Sequence, residues 1–324
     1  MKAKLPLLPI KTALVACASK LLLLLSILLL PGRAAQAQSL SFQANEEVDY
    51  ELYYKWGLVF SKAGNATFKM KDTYFEGAPA WHYSLLFRSA GIVEKLYQMR
   101  DTMDGYYSKA PRLLYSSKHS DEGDYYSVDE LRFRYEAVNQ VTIASRRYTL
   151  KRVKIDTLLV TEAPVSDMLG GTLYLRALAA GTLRNGDNFP LTVAIGRDLV
   201  TMRFRYSGQR IVEHKGVKYR TRHFYIDIED EAFEQPKEAA EVWIGDDANH
   251  IPVKVRAKLK LGAVEAYFKE GRNLRAPMDC RVVIPSRAST DWRKRENSVF
   301  AITCSVKGGD QRPLFGGDAH LTIR

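Results

Sequence analysis

The sequence predicts an all-β protein with minor α content: a strongly curved antiparallel sheet or open barrel with one covering helix. Three observations predict it. From Val48 onward apolar and polar residues alternate with a period of two, short turn signals punctuate the alternating runs, and a single segment carries helical periodicity.

The strand runs come in chain order as DYELYYKW (Asp49 to Trp56), AGNATFKM (Ala63 to Met70), WHYSLLFR (Trp81 to Arg88), ELRFRYEA (Glu130 to Ala137) and LVTMRFRY (Leu199 to Tyr206). Successive side chains of a strand point to opposite faces, so each run buries one face and wets the other. The 18 tyrosines fit the aromatic enrichment of sheets. EGAP at Glu76, DEGD at Asp121, RNGD at Arg184, SGQ at Ser207 and HKG at His214 supply the turns. In GVKYRTRHFYIDIE (Gly216 to Glu229), Val217, Tyr219 and Thr221 share one face, whereas Phe224, Ile226 and Ile228 share the other. That change of side predicts a β-bulge near Arg222 and His223.

The helix is expected over Ser166 to Ala180, capped by Ser166 or Asp167 and ended by Gly181. Met168, Leu169, Leu173, Leu175 and Leu178 make its apolar side, and the four leucines are the candidate ligand-binding residues. Gly170 and Gly171 each cost it about 1 kcal/mol relative to alanine, which points to close packing on the sheet.

Residues 1–37 read as a cleaved export signal: a lysine-bearing start, the run LLLLLSILLL from Leu21 to Leu30, then Ala35-Gln36-Ala37, with the mature chain starting at Gln38. The run is short for a membrane-spanning helix of about 20 apolar residues. The formal charge of +11 drops to +6 once those residues are removed, so a nucleic-acid partner is not expected. A body over 38–276 contains no cysteine, and residues 277–324, rich in Gly, Pro, Ser and Arg, are expected to form a disordered tail. Cys280 and Cys304 lie in it, and their pairing is left open.

The usual chemical signatures are missing from the sequence: no G-x-S-x-G, no phosphate-cradling loop, no H-E-x-x-H and no C-x-x-C. Six histidines are scattered without ligand spacing, so no catalytic residue, metal or cofactor is assigned. EVWIGDDANHIPVKV (Glu241 to Val255) concentrates Asp246, Asp247, Asn249 and His250, and the expectation is a solvated hairpin tip, because Asp and Asn suit tight turns. Lys254, Arg256, Lys258 and Lys260 alternate with apolar residues beyond it and are expected to form a solvated outer face. SDEGDYYSVDE (Ser120 to Glu130) lacks the order of a calcium loop and is expected to be a solvated connection.

The blocks ANEEVDYELYYKWGLVFSKAGNATF, LYQMRDTMDGYYS, DMLGGTLYLRAL and VWIGDDANHIPVKVRAKLKLGAVEA resemble the exported bacterial family called domain of unknown function 3108, over about Asn45 to Phe268. Its motif positions here are Trp243, Asp246, Asp247 and Pro252, read as structural, and the resemblance implies no activity. The hairpin block is also similar to one in LolA/LolB-type lipoprotein carriers, which implies a half-open barrel with a helical cover. The expectation is a non-enzymatic periplasmic binding or carrier module for an apolar or lipid-like ligand, in a Gram-negative envelope near the outer membrane. Contact with a membrane surface, a scaffold that binds an envelope protein, and an enzyme with a site assembled from distant strands are the alternatives.

Overall fold

The computed structural model describes residues 42–282, except for 97, 111, 124, 137–138, 230–236 and 260–261. The predicted signal segment and most of the predicted tail lie outside the described residues. The first half is a chain of hairpins: β1 (Glu47–Trp56), β2 (Val59–Phe75), β3 (Ala78–Ser89), a short helix α1 (Gly91–Leu96), β4 (Thr102–Ser108), β5 (Leu113–Glu122), β6 (Tyr125–Tyr135), β7 (Gln140–Thr149) and β8 (Val153–Glu162). The second half runs through β9 (Val165–Ser166), α2 (Gly170–Ala179), β10 (Asn188–Ile195), β11 (Asp198–His214), β12 (Val217–Glu229), β13 (Ala240–Gly245), β14 (Pro252–Lys258), β15 (Ala263–Arg272) and β16 (Arg281–Val282). Glycine with positive φ turns several of these hairpins; at Gly77 and Gly216, φ is 82° and 78°.

Each strand of the first half pairs antiparallel with its sequence neighbour, and β15 back to β10 do the same. Pairing of β1 with β15 joins the two meanders into a single nearly closed, barrel-shaped sheet whose ends are β8 and β9. The predicted fold class holds. One addition is α1, six residues long, which had no signal in the periodicity.

Three differences from the sequence reading have physical causes. The extra residues sit on β11, where Ser207 and Gly208 face His223 across a register shift, and not on β12. β12 changes its buried side where it exchanges neighbours: Tyr219 pairs β16, whereas Thr221 to Ile226 pair β13. Ser120 to Glu130 is no loop, since β5 continues to Glu122 and β6 starts at Tyr125. And the body does not stop at Ala276: Met278 packs on the core, Cys280 is buried and β16 pairs β12, so the boundary moves to Val282 at the earliest.

Among the described residues, the interior holds three apolar clusters. One gathers Leu175 and Ala179 of α2 with β10–β13; a second gathers Leu169 with β2–β7, β9 and β10; a third lies between β1, β2, β12 and β15. The helix therefore lies along the concave side of the sheet, shared between two clusters. Its expected start at Ser166 moves to Gly170, because Val165 and Ser166 pair in parallel with Thr192 and Val193 as β9.

Candidate ligand cavity

The site is built from the first turn of α2 and the inner faces of β11–β14. Asp167, three residues ahead of the helix, fixes its start: the Gly170 N–H donates to its Oδ1 at 2.8 Å, and burial raises its carboxyl pKa. A Cβ on Gly170 would stand 2.0 Å from Ser166 Oγ and 2.5 Å from Tyr107 Oη, so only glycine allows this approach. Gly171, one residue on, faces space: its Cβ would meet nothing nearer than Phe204 at 3.8 Å. The two glycines thus do different things, one permitting contact and the other leaving room.

That room is a cavity of about 550 Å³ between α2 and the sheet, within the usual range of about 300–1,000 Å³ for small-molecule sites. Gly171, Thr172 and Leu175 form its helical wall; Phe204, Ile228 and Val242 are among the strand residues facing them. Met168 and Leu259, each 43% exposed, flank the opening. Thr172 Oγ1 is engaged, donating to the Leu169 carbonyl at 2.8 Å and lying 2.9 Å from Tyr83 Oη. Lys258 is the charged side chain of the lining, and its Nζ lies 3.8 Å from Glu238 Oε2. The wall therefore offers dispersion and apolar burial, and among the described residues of the lining no pair of ionisable groups converges inside.

Of the four leucines singled out from the sequence, Leu175 lines this cavity. Leu169 is buried and Leu173 half-buried in the second cluster, and Leu178 packs on the first, because the helix lies between two clusters and its wide stripe serves both. A smaller chamber of about 180 Å³ lies across Met168, with Ser116, Ser145, Asp129 and Arg147 on its wall.

The motif hairpin is not the solvated tip expected. Asp246 accepts from Arg222 Nε at 2.8 Å and Gln209 Nε2 at 3.1 Å; Asp247 accepts from the Asn249 N–H at 2.9 Å. Asn249 is fully buried, its Nδ2 donating to the carbonyls of Ala276 (2.9 Å) and Pro277 (3.1 Å), its Oδ1 accepting from the Ala276 N–H (2.9 Å). Its own carbonyl accepts from Arg176 Nη2 at 2.8 Å. His250 takes a φ of 47°, and burial lowers its pKa. Pro252 gives its carbonyl to Tyr50 Oη at 2.9 Å and lines the cavity. The loop folds inward and locks α2, β12 and the segment after Arg275 to one another.

Trp243 lies on the outer side, its ring 4.6 Å from that of His223 with Lys254 Nζ 4.9 Å from its centre. His223 Nδ1 is 2.8 Å from Ser207 Oγ and its Nε2 3.4 Å from Glu241 Oε2. Although this brings a hydroxyl, an imidazole and a carboxylate together, the ring is sealed beneath Trp243 and Tyr225, and neither chamber is lined by any of the three. The basic row of β14 is not simply solvated either: Lys254 and Arg256 pair Glu265, and Arg256 also pairs Glu241. Among the described residues no group of three or more His, Cys, Asp and Glu could hold a metal, and no helix is long and apolar enough to cross a membrane.

Among solved structures, the chain is similar to the crystal structure of a beta-barrel-like protein of domain of unknown function DUF1849 from Brucella abortus, at 9% identity and a TM-score of 0.47, over 71% of this chain and 97% of that one. No curated protein matches. Residues 49–269, well over half of the chain, match the family model described as protein of unknown function DUF3108, and the chain accordingly belongs to that family.

Proposed function

We propose that this protein is an exported, non-enzymatic binding or carrier module of the cell envelope, holding an apolar or lipid-like ligand in the cavity beneath α2. One observation carries the reading: a space of about 550 Å³ walled by apolar side chains lies between α2 and the sheet, and the helix turns Gly171, which has no side chain, toward it. The space opens to solvent, so an apolar ligand seated there removes the apolar wall from water and gains dispersion contacts with it. Phe204, Ile226, Ile228 and Val242 offer an apolar ligand burial worth about 25 cal/mol per Å². Lys258 at the rim suits a ligand whose polar or anionic end stays in water. Export is supported by the charged, apolar and small-residue order of residues 1–37.

Intact mass spectrometry of protein purified from its native envelope, followed by organic extraction, tests the reading. The expected result is a chain starting at Gln38 that carries one co-purifying lipid-like molecule. A chain retaining Met1, or an empty cavity in protein that also ignores added fatty acids, contradicts it.

A further inference from the structure

The two ends of the sheet are treated unequally. A free strand edge presents unpaired N–H and C=O groups that template association, and proteins ordinarily blunt it by shortness, proline or charge. β9 obeys this rule, being two residues long and preceded by Pro164. β8 does not, being ten residues long, free of proline, and ending the sheet with β7 as its one strand neighbour. Among the described residues no backbone hydrogen bond reaches β8 from any other strand.

The opposite end of the sheet does not cover that edge. Ser145 Oγ of β7 donates to the Gly196 carbonyl in the turn between β10 and β11, and Ile155 packs against the same glycine, so this turn lies under the inner faces of β7 and β8. Ile155 and the partly buried Leu159 point inward. On the outer face Leu158 is 68% and Val160 56% exposed. An edge of this length with aliphatic residues in water is one that a partner covers.

We propose that the partner is a second copy of this chain, pairing β8 with β8 antiparallel across a two-fold axis at Leu158. The strand is self-complementary in that register. Leu158 faces Leu158, Lys154 faces Glu162 twice over, and Asp156 faces Val160. Centring on Asp156 would oppose that residue to itself, and centring on Leu159 would oppose Asp156 to Glu162; like charges directly opposite are destabilising. A two-fold interface requires this kind of self-match. The assembly continues the sheet of one protomer into its partner and leaves both cavities untouched.

The test uses the full chain with Cys17 and Cys304 replaced by serine; Cys280 is buried. Directly opposed residues lie about 4.5–5.5 Å apart at Cα, within disulfide reach. Leu158→Cys should therefore form a covalent dimer on mild oxidation, while Asp156→Cys, opposite Val160, should not. Light scattering should give twice the chain mass for the parent protein; Lys154→Glu should weaken association about tenfold, and Lys154→Glu with Glu162→Lys should restore it. A parent protein that stays monomeric at about 100 µM, or equal cross-linking at 156 and 158, overturns the proposal, including the case in which β8 receives a strand from another protein.

Discussion

Glu46, just before β1, and Arg176, in α2, form a buried ion pair across 130 residues, with Oε1 to Nη1 at 2.6 Å and Oε2 to Nη2 at 3.1 Å. Their side chains are 3% and 4% exposed. Burial opposes the arginine's charge, but the hydrogen bonds it donates to Glu46 and that carboxylate's field hold the pKa above the ordinary value. Through the Asn249 carbonyl the pair also grips the motif hairpin. Three of the four blocks that carry the family resemblance thus meet at one buried point.

Removing one member of a buried pair leaves an uncompensated charge, which costs about 3–5 kcal/mol. Glu46→Ala should lower unfolding free energy by about that amount, measured by denaturant titration. Glu46→Leu with Arg176→Met should recover most of it. Equal losses in the single and double variants would mean that the pair does not hold the helix in place.

The adjacent glycines should respond in opposite directions. Gly170→Ala pushes a methyl into Ser166 and Tyr107 and should cost about 1–3 kcal/mol as overpacking. Gly171→Ala meets open space and should be neutral or stabilising by up to about 1 kcal/mol, the helix propensity difference. Thermal unfolding of the two variants side by side decides it.

Asn249 rather than His250 should prove the indispensable residue of the hairpin. Asn249→Ala strands the Ala276 N–H and two carbonyls, at about 1–3 kcal/mol for an unsatisfied buried group. His250→Asn keeps a residue type at home with positive φ and should be tolerated. A stable Asn249→Ala protein would show that the segment after Arg275 docks by other means.

Acid should weaken the fold in two windows. His214, His223 and His250 all lie below the ordinary 6.5 because burial disfavours the charged ring. The unfolded chain then binds protons first, so stability falls as pH drops below 6.5. Glu51 is held at about 2, against an ordinary 4.5, mainly by its bond from Lys215, and its contribution disappears as pH falls from 4.5 towards 2. Unfolding midpoints from pH 8 to 3 should decline in both ranges, and Lys215→Met should flatten the lower one. A midpoint level between pH 7 and 5 would contradict the first.

Strand alternation made the sheet legible, since half-buried strands write their period directly into residues such as those of LVTMRFRY. The cavity was only partly legible, because its wall on β11–β14 alternates as any packed core does, and on α2 two of its three residues are Gly171 and Thr172, which carry no hydrophobic signal. The leucine stripe identified the helix and one residue of the wall, Leu175, while Leu169 and Leu173 serve the second cluster and Leu178 packs on the first. Turn chemistry located the hairpin correctly, yet its inward fold depends on Arg176, Ala276 and Pro277, remote in sequence. The glycine pair pointed to close packing, which holds at Gly170, whereas Gly171 faces the space.

Under the proposed function, the space beside Gly171 is where the apolar ligand sits. Titrating a fluorescent fatty acid such as cis-parinaric acid into the parent protein and Gly171→Met measures this directly. Met prolongs the helix comfortably and projects toward the space in front of Phe204. Saturable binding of one molecule per chain, abolished in Gly171→Met while that protein stays folded, is the predicted result. Identical binding by both proteins, or by neither, would show that the space beside Gly171 does not hold an apolar ligand.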